Sequence, residues 1–186
     1  MTKQPPGQAS RTIRPSDAPL QLRFLRFGDE TAFRSAHQVM AAEGFTFGLG
    51  FKPTMAWSAY LNTLDDYRRG LNLPGGLVPA TFLVADVAGT IVGRACIRHE
   101  LNDILKREGG HIGYGVLPEH RRRGYATEIL RRSLAIARTN GVERVLVTCD
   151  DDNVGSITVI ERCGGKLDSI VHTAASAPLI RRYWFD

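Results

Sequence analysis

Between His111 and Thr148 the hydrophobic pattern changes period repeatedly, and that succession restricts the chain to folds that lay helices on a sheet. His111-Ile112-Gly113-Tyr114-Gly115-Val116 is strand-like, and Pro118 stops it because proline has no N–H to give to a sheet ladder. After Gly124, small or apolar residues recur at Ala126, Ile129, Leu130, Ser133, Leu134 and Ala137, whereas Glu128, Arg131, Arg132 and Arg138 fall on the other side. This is the pattern of a one-sided helix. Asn140-Gly141 tolerates left-handed backbone and closes it, and Val142 to Thr148 then reads as a buried strand.

The flanking sequence supplies more of both elements. Leu22 to Phe27 is β-prone and ends at the turn Gly28-Asp29, and Phe33, Ala36, Met40 and Ala41 set a helix over Glu30 to Glu43 that Gly44 stops. A second helix is expected over about residues 54–69. Between the two, Phe45, Phe47, Leu49 and Phe51 alternate like a strand, but Gly48 and Gly50 suggest a mobile loop on the substrate side. Ala80 to Asp86 and Ile91 to Ile97 form a hairpin about Ala88-Gly89, followed by a polar loop from Asn102 to Gly110. Asn153 to Cys163 is a short helix ended by Gly164-Gly165, and strand-like runs follow near Leu167 to Val171 and Leu179 to Phe185. The order implies a mixed α/β sheet in a single domain.

With 186 residues, 43% of them hydrophobic, the chain can bury one sizeable core. Residues 1–20 carry Pro5, Pro6, Gly7, Pro15 and Pro19 and almost no large apolar side chain, so a flexible tail is expected there and the domain over 21–186. No stretch has the character of a secretory signal or a membrane span, which predicts a soluble, cytoplasmic protein with no membrane partner. Cys96, Cys149 and Cys163 lack the pairing of a disulfide framework or a zinc site and read as reduced, packed thiols. Asp150-Asp151-Asp152 are consecutive and converge poorly, so no metal is implied. The formal charge is +5 and 20 of the 24 basic residues are Arg, mostly scattered over the sequence. That spread fits an ordinary solvated surface better than a nucleic-acid footprint.

One basic cluster has a specific place. Arg121-Arg122-Arg123-Gly124-Tyr125-Ala126 lies between a strand and the start of the clearest helix, where unpaired amides and the positive end of the dipole are open to an anion. Gly124 and Ala126 are small enough for phosphates to reach the backbone, the arginines add charge, and Thr127 adds a hydroxyl. The bland reading is a basic loop before a solvated helix.

Read whole, Val116-Leu117-Pro118-x-x-Arg121-x-x-Gly124-x-Ala126 resembles the coenzyme-A motif of the GNAT N-acetyltransferases. Asn153 and Ser156, followed by Gly164, resemble the segment that borders the pantetheine arm in that family. His111 to Gly165, with the terminal Arg182-Tyr183-Trp184, is most similar to a poorly characterised bacterial subgroup of acetyltransferases. The resemblance implies an α/β fold of GNAT type: a mixed, mostly antiparallel sheet flanked by helices, with the fourth and fifth strands splayed. It implies acetyl-CoA as co-substrate, Val116 and Leu117 lining the wedge, and a backbone N–H near Val116 stabilising the oxyanion. The acceptor would be a small-molecule or peptide amine attacking directly in a ternary complex, and a homodimer is within the family's habit.

The chain departs from the family pattern where proton transfer is concerned. Many members have a Tyr seven residues after the Asn as the acid for the departing thiolate, and here that position is Ile160. Tyr183 is the candidate substitute. Relatives often place a Glu before the Ile-Gly-Tyr of the fourth strand, where this chain has His111, a candidate base, with Glu100 as the second candidate. The missing Tyr also leaves open a non-catalytic module that binds acyl-CoA without turnover.

Overall fold

Ala88 and Gly89 both take left-handed backbone (φ 51° and 84°), the geometry that joins two antiparallel strands through a two-residue turn. The hairpin so formed, Ala80–Val87 (β2) and Thr90–Arg98 (β3), is the centre of the molecule. Every residue of β2 is buried. Phe82 and Val84 face one layer of helices, and the alternate residues Leu83 and Ala85 face the other.

The computed structural model describes residues 18–172 and 178–186. Before the hairpin lie Gln21–Arg23 (β1), Glu30–Ala41 (α1) and Trp57–Arg69 (α2). After it come Asp103–Glu108 (α3), Ile112–Val116 (β4), Tyr125–Thr139 (α4), Val145–Asp150 (β5), Val154–Arg162 (α5), Lys166–His172 (β6) and Leu179–Phe185 (β7). The strands make two antiparallel sheets, ordered β1-β2-β3-β4 and β5-β7-β6. Helices α1 and α2 cover one face with Phe33, Trp57 and Tyr60, while α4 and α5 cover the other with Leu130, Leu134 and Ile160.

Several expectations change on the structure. The first strand is only Gln21–Arg23, and Phe24 and Phe27 beyond it are exposed, because they pair with no strand. Leu20 is buried among Ala85, Val87 and Val92, so packing starts within the segment assigned to the tail; residues 1–17 lie outside the described residues. The segment from Phe45 to Phe51 is neither a strand nor a loose loop: Phe47 and Phe51 are buried against Phe33, with ring centroids 5.6 and 5.1 Å away. Gly48 is required there by space, since a Cβ would lie 2.7 Å from that of Phe51 and 2.8 Å from the Phe33 ring. Part of the polar stretch read as loop forms α3, capped by the Asn102 side chain accepting from the Leu105 amide at 3.0 Å. This helix buries no residue, so it left no hydrophobic period to read.

Among the described residues, the hydrogen bonds between the two sheets are made by one residue pair. The His111 amide donates to the Leu146 carbonyl at 2.7 Å, and the Leu146 amide donates back to His111 Nδ1 at 2.9 Å. An imidazole thus stands where a carbonyl would continue the ladder. Gly110, at φ 62°, permits the approach, since a Cβ there would sit 2.5 Å from the Leu146 carbonyl oxygen. One nitrogen of Arg98 donates to the carbonyls of Gly109 (3.1 Å) and Gly110 (2.9 Å) and fixes the turn.

Burial, reinforced by the Arg98 charge, lowers the His111 pKa from 6.5 to about 4. A histidine depressed in this way destabilises the fold as pH falls below its unfolded value, because only the unfolded chain takes up the proton readily. Between pH 7 and pH 5 the wild-type protein should lose about 2 kcal/mol of stability through this residue. His111→Ala should cost about 1–3 kcal/mol at pH 7 by orphaning the Leu146 amide, and should remove that share of the pH dependence. Urea unfolding of both proteins at the two pH values checks this; equal slopes against pH would contradict it.

Candidate active site at the split between the sheets

Along β4 the backbone alternates between two neighbours. Leu117 donates to the Val92 carbonyl at 2.9 Å, and β4 pairs with β3 from Ile112 to Val116, so the odd-numbered peptide groups turn toward β3. By the same alternation those of Ile112, Tyr114 and Val116 turn toward β5. No ladder joins β4 to β5, which belong to separate sheets. The result is a wedge, closed at His111 and Leu146 and open toward Val116, whose edge offers unpaired backbone groups. The Val116 carbonyl is taken by Arg121 Nε at 3.1 Å.

At the open end, Pro118–His120 make one 3-10 turn, and Arg122 and Gly124 take left-handed backbone at φ 62° and 80°. Gly124 is the N-cap of α4, and the first amide to find an intrahelical partner is that of Glu128, which donates to the Gly124 carbonyl at 3.2 Å. The amides of Tyr125, Ala126 and Thr127 therefore have no partner within the helix, and the space over Gly124 is open. These groups, with the positive end of a 15-residue helix behind them, form an anion seat. Arg122 and Arg123 are exposed beside it. Arg121 differs from the expectation that it adds free charge: its guanidinium pairs with Glu43, just past the end of α1, and ties the loop to that helix.

The far wall of the wedge is α5 and the end of β5. Asn153 caps α5 by accepting from the Ser156 amide at 2.9 Å, and Cys163 Sγ reaches the Thr127 carbonyl at 3.7 Å, linking α5 to α4. Tyr114 extends from β4 into this wall, with Ser156, Cys149 and Cys163 around it. Its hydroxyl is buried and has no hydrogen-bond partner among the described residues. Burial raises its pKa, which keeps the phenol protonated. Burial also pushes the Cys149 thiol up to about 11, so it is no thiolate nucleophile at neutral pH.

The three catalytic candidates from the sequence do not come together. His111 sits at the closed end of the wedge with Nδ1 committed to Leu146. Glu100 is exposed two residues beyond β3; Arg98 pairs with His111, so Glu100 lies past the closed end. Tyr183 is fully buried beside Ile160, and its hydroxyl donates to Glu161 Oε1 at 3.1 Å. Val116, Leu117, Gly124, Tyr125, Ala126 and Thr127 fall along the wedge mouth and its loop, with Asn153 and Ser156 on α5 opposite.

Two polar residues near β4 were not picked out by sequence reasoning, Tyr114 and Arg94. The signal for Arg94 was present, since it is the one charge within Ile91-Val92-Gly93-Arg94-Ala95-Cys96-Ile97. Among the described residues no three His, Cys, Asp or Glu side chains gather as metal ligands, and no helix is long and apolar enough to cross a membrane.

Comparison with known proteins places the chain in a family. The acetyltransferase (GNAT) family profile covers residues 51–165. No curated protein matches the sequence. Among solved structures, an acetyltransferase of Agrobacterium tumefaciens is 22% identical with a TM-score of 0.59, covering 100% of this chain and 99% of its own. RimJ of Mycobacterium smegmatis, in complex with CoA-disulfide, is 18% identical with a TM-score of 0.65, covering 92% and 83%. A spermidine N-acetyltransferase of Vibrio cholerae, in complex with CoA and spermine, is 18% identical with a TM-score of 0.60, covering 89% and 94%. These similarities are similarities of fold. The chain belongs to the acetyltransferase (GNAT) family, enzymes that move an acetyl group from acetyl-CoA to an acceptor.

Proposed function

We propose that this protein acetylates an amine directly from acetyl-CoA in a ternary complex, with the co-substrate laid in the wedge between β4 and β5. The observation that carries the reading is the wedge itself: an unpaired strand edge at Ile112, Tyr114 and Val116 leads to the open amides of Tyr125, Ala126 and Thr127. An edge of this kind accepts an extended chain of amides as a further strand, and the helix N-terminus accepts a pyrophosphate. Acetyl-CoA presents both, and brings the activated acetyl thioester. Arg122 and Arg123 supply charge at the seat, while Arg121 holds the loop in place through Glu43 and the Val116 carbonyl.

The Val116 amide turns into the wedge and is the donor for the negative charge that develops on the acetyl oxygen. The proton for the sulfur comes from Tyr114 in this reading, because its hydroxyl is buried and protonated and only the Ser156 side chain is placed to compete for it, while that of Tyr183 is held by Glu161. His111 acts as the joint that keeps the wedge closed at one end. With a pKa near 4 its imidazole is a poor match for taking a proton from an ammonium ion at neutral pH. Glu100 lies too far along the sheet to serve unless the acceptor itself brings it in. The setting is cytoplasmic, and the acceptor is a small molecule or an exposed protein amine: one of the similar structures is a spermidine acetyltransferase, and another acts on a ribosomal protein's α-amino group. A homodimer would use the edge of β6, where Leu167 and Ile170 are exposed, since β7 is flanked on both sides.

Gly124→Glu places a carboxylate over the anion seat, in open space and at a left-handed position that costs roughly 1 kcal/mol. It should weaken acetyl-CoA binding by about 100-fold or more by calorimetric titration, with Gly124→Ala losing far less; undiminished binding by the Glu variant would place the cofactor elsewhere. Tyr114→Phe should lower kcat by about 10- to 100-fold with the acetyl-CoA Kd unchanged, whereas Tyr183→Phe should leave kcat within a few-fold. The opposite ranking would move the acid to Tyr183. Acetyl-CoA binding with no thiol release from any amine would favour the sensing module over the enzyme.

A further inference from the structure

On the side of β4 opposite α4, the guanidinium of Arg94 has no anionic counterpart among the described residues. Arg94, on β3, pairs in register with Gly115, the neighbour of Val116. One of its terminal nitrogens donates to the Gly113 carbonyl at 2.9 Å and the other to the Thr46 carbonyl at 3.0 Å, and the guanidinium lies 4.6 Å from the centre of the Phe45 ring. Phe45 in turn covers Gly115, where a Cβ would come within 2.8 Å of the ring. The group is therefore held flat between the β4 backbone and the segment that follows α1.

Arg94 shares the lack of a carboxylate partner with Arg98, which is spent on the carbonyls of Gly109 and Gly110, and differs in this from the arginines that form ion pairs. Arg23 meets Asp29 and Asp86, Arg121 meets Glu43, and Arg181 meets Asp151. Arg94 meets no carboxylate among the described residues. Its Nε is shut off from solvent without a partner, and the hydroxyl of Tyr60, near enough to feel its charge, is buried without a partner too. Burial lowers its pKa to about 10, and the groups acting on it are Cys96, Arg98 and Tyr60, so it remains a cation at neutral pH. The bond to Thr46, by contrast, is at the surface. A charge sunk at its inner edge, only partly exposed elsewhere and met by no carboxylate among the described residues is costly for the fold alone, and an apolar side chain would fill the same space more cheaply. Each terminal nitrogen keeps one N–H beyond its carbonyl bond, and that pair is suited to a planar or tetrahedral group of anionic oxygens.

We propose that Arg94 is a specificity-determining residue on the acceptor side of β4, and that the amine acetylated here carries a carboxylate or phosphate close to its nitrogen. The proposal rests on the reading that acetyl-CoA occupies the wedge, which places the acetyl carbon at Val116, one residue along from the position that Arg94 faces. Phe45 supplies an apolar wall for the carbon chain between the two groups. A polycation of the spermidine kind would be repelled from this site.

The test uses product-like amides with the protein saturated in CoA, so that the pyrophosphate seat is filled. Calorimetric titration with N-acetylglycine, with the phosphate ester of N-acetylethanolamine, and with neutral N-acetylglycinamide should show binding of at least one anionic probe ten-fold or more tighter than the neutral one. Arg94→Lys, which keeps the charge but loses the fork, should cut that preference by about ten-fold, and Arg94→Gln should abolish it, both with CoA affinity unchanged. Which anionic probe wins tells carboxylate from phosphate. Equal binding of all three by the wild type, no binding of any, or a preference that survives Arg94→Lys intact would overturn the proposal and leave Arg94 as a clamp on the 45–51 segment. Failure of the wild type to bind CoA at all would instead remove the wedge reading on which it rests.

Discussion

The exchange of two hydrogen bonds between His111 and Leu146 is the constraint on which the rest of the site depends. Two sheets that shared a full ladder across β4 and β5 would have no free edge to offer, and two sheets with no link would have no fixed angle between them. A single joint made by a side chain solves both problems. It holds the strands at one end and lets them part before Tyr114 and Val116. Gly110 and Arg98 serve this joint, the first by allowing the backbones within reach and the second by pinning the turn that leads into it.

From the joint outward, each element has a definite relation to the wedge. The hairpin of β2 and β3 gives β4 a rigid neighbour, and Gly93 lets it come close: a Cβ there would stand 2.3 Å from the Gly115 oxygen. On one face α4 brings its open N-terminus to the mouth, and α5 closes the far wall through the Asn153 cap. On the other face the 45–51 segment is packed onto β4 by Phe45 and Arg94, which in the proposed reading separates the co-substrate's side of the strand from the acceptor's. The proposed oxyanion stabilisation by a backbone amide and proton delivery by a buried phenol would demand little of side-chain chemistry, which accords with His111, Glu100 and Tyr183 standing apart.

Much of this was legible in the sequence where the signal is local. Helix α4 and its anion seat follow from a clear period, a proline before and a glycine at the cap, and the short helix from Asn153 was legible from the Gly164-Gly165 that ends it, though not the role of Asn153 as its cap. Signals that depend on distant partners were not. His111 looks like a titrating base until Leu146, 35 positions away, takes its Nδ1; Arg121 looks like a phosphate ligand until Glu43, 78 positions away, takes its charge. Tyr183 has the chemistry of an acid, but Glu161 holds its proton. The glycines between Phe45 and Phe51 pointed to mobility in a chain read one residue at a time, and in three dimensions they allow aromatic rings to touch. Helix α3 buries nothing and so left no pattern.

Amide hydrogen exchange with and without acetyl-CoA tests the central claim most directly, because it reads the backbone groups that the wedge is said to offer. Slowed exchange concentrated in peptides covering Tyr114–Val116 and Gly124–Thr127 is the result expected of a co-substrate laid along β4 and seated on α4. Binding that leaves those two stretches unchanged while protecting another part of the surface, such as the groove between α2 and residues 72–77, would contradict it.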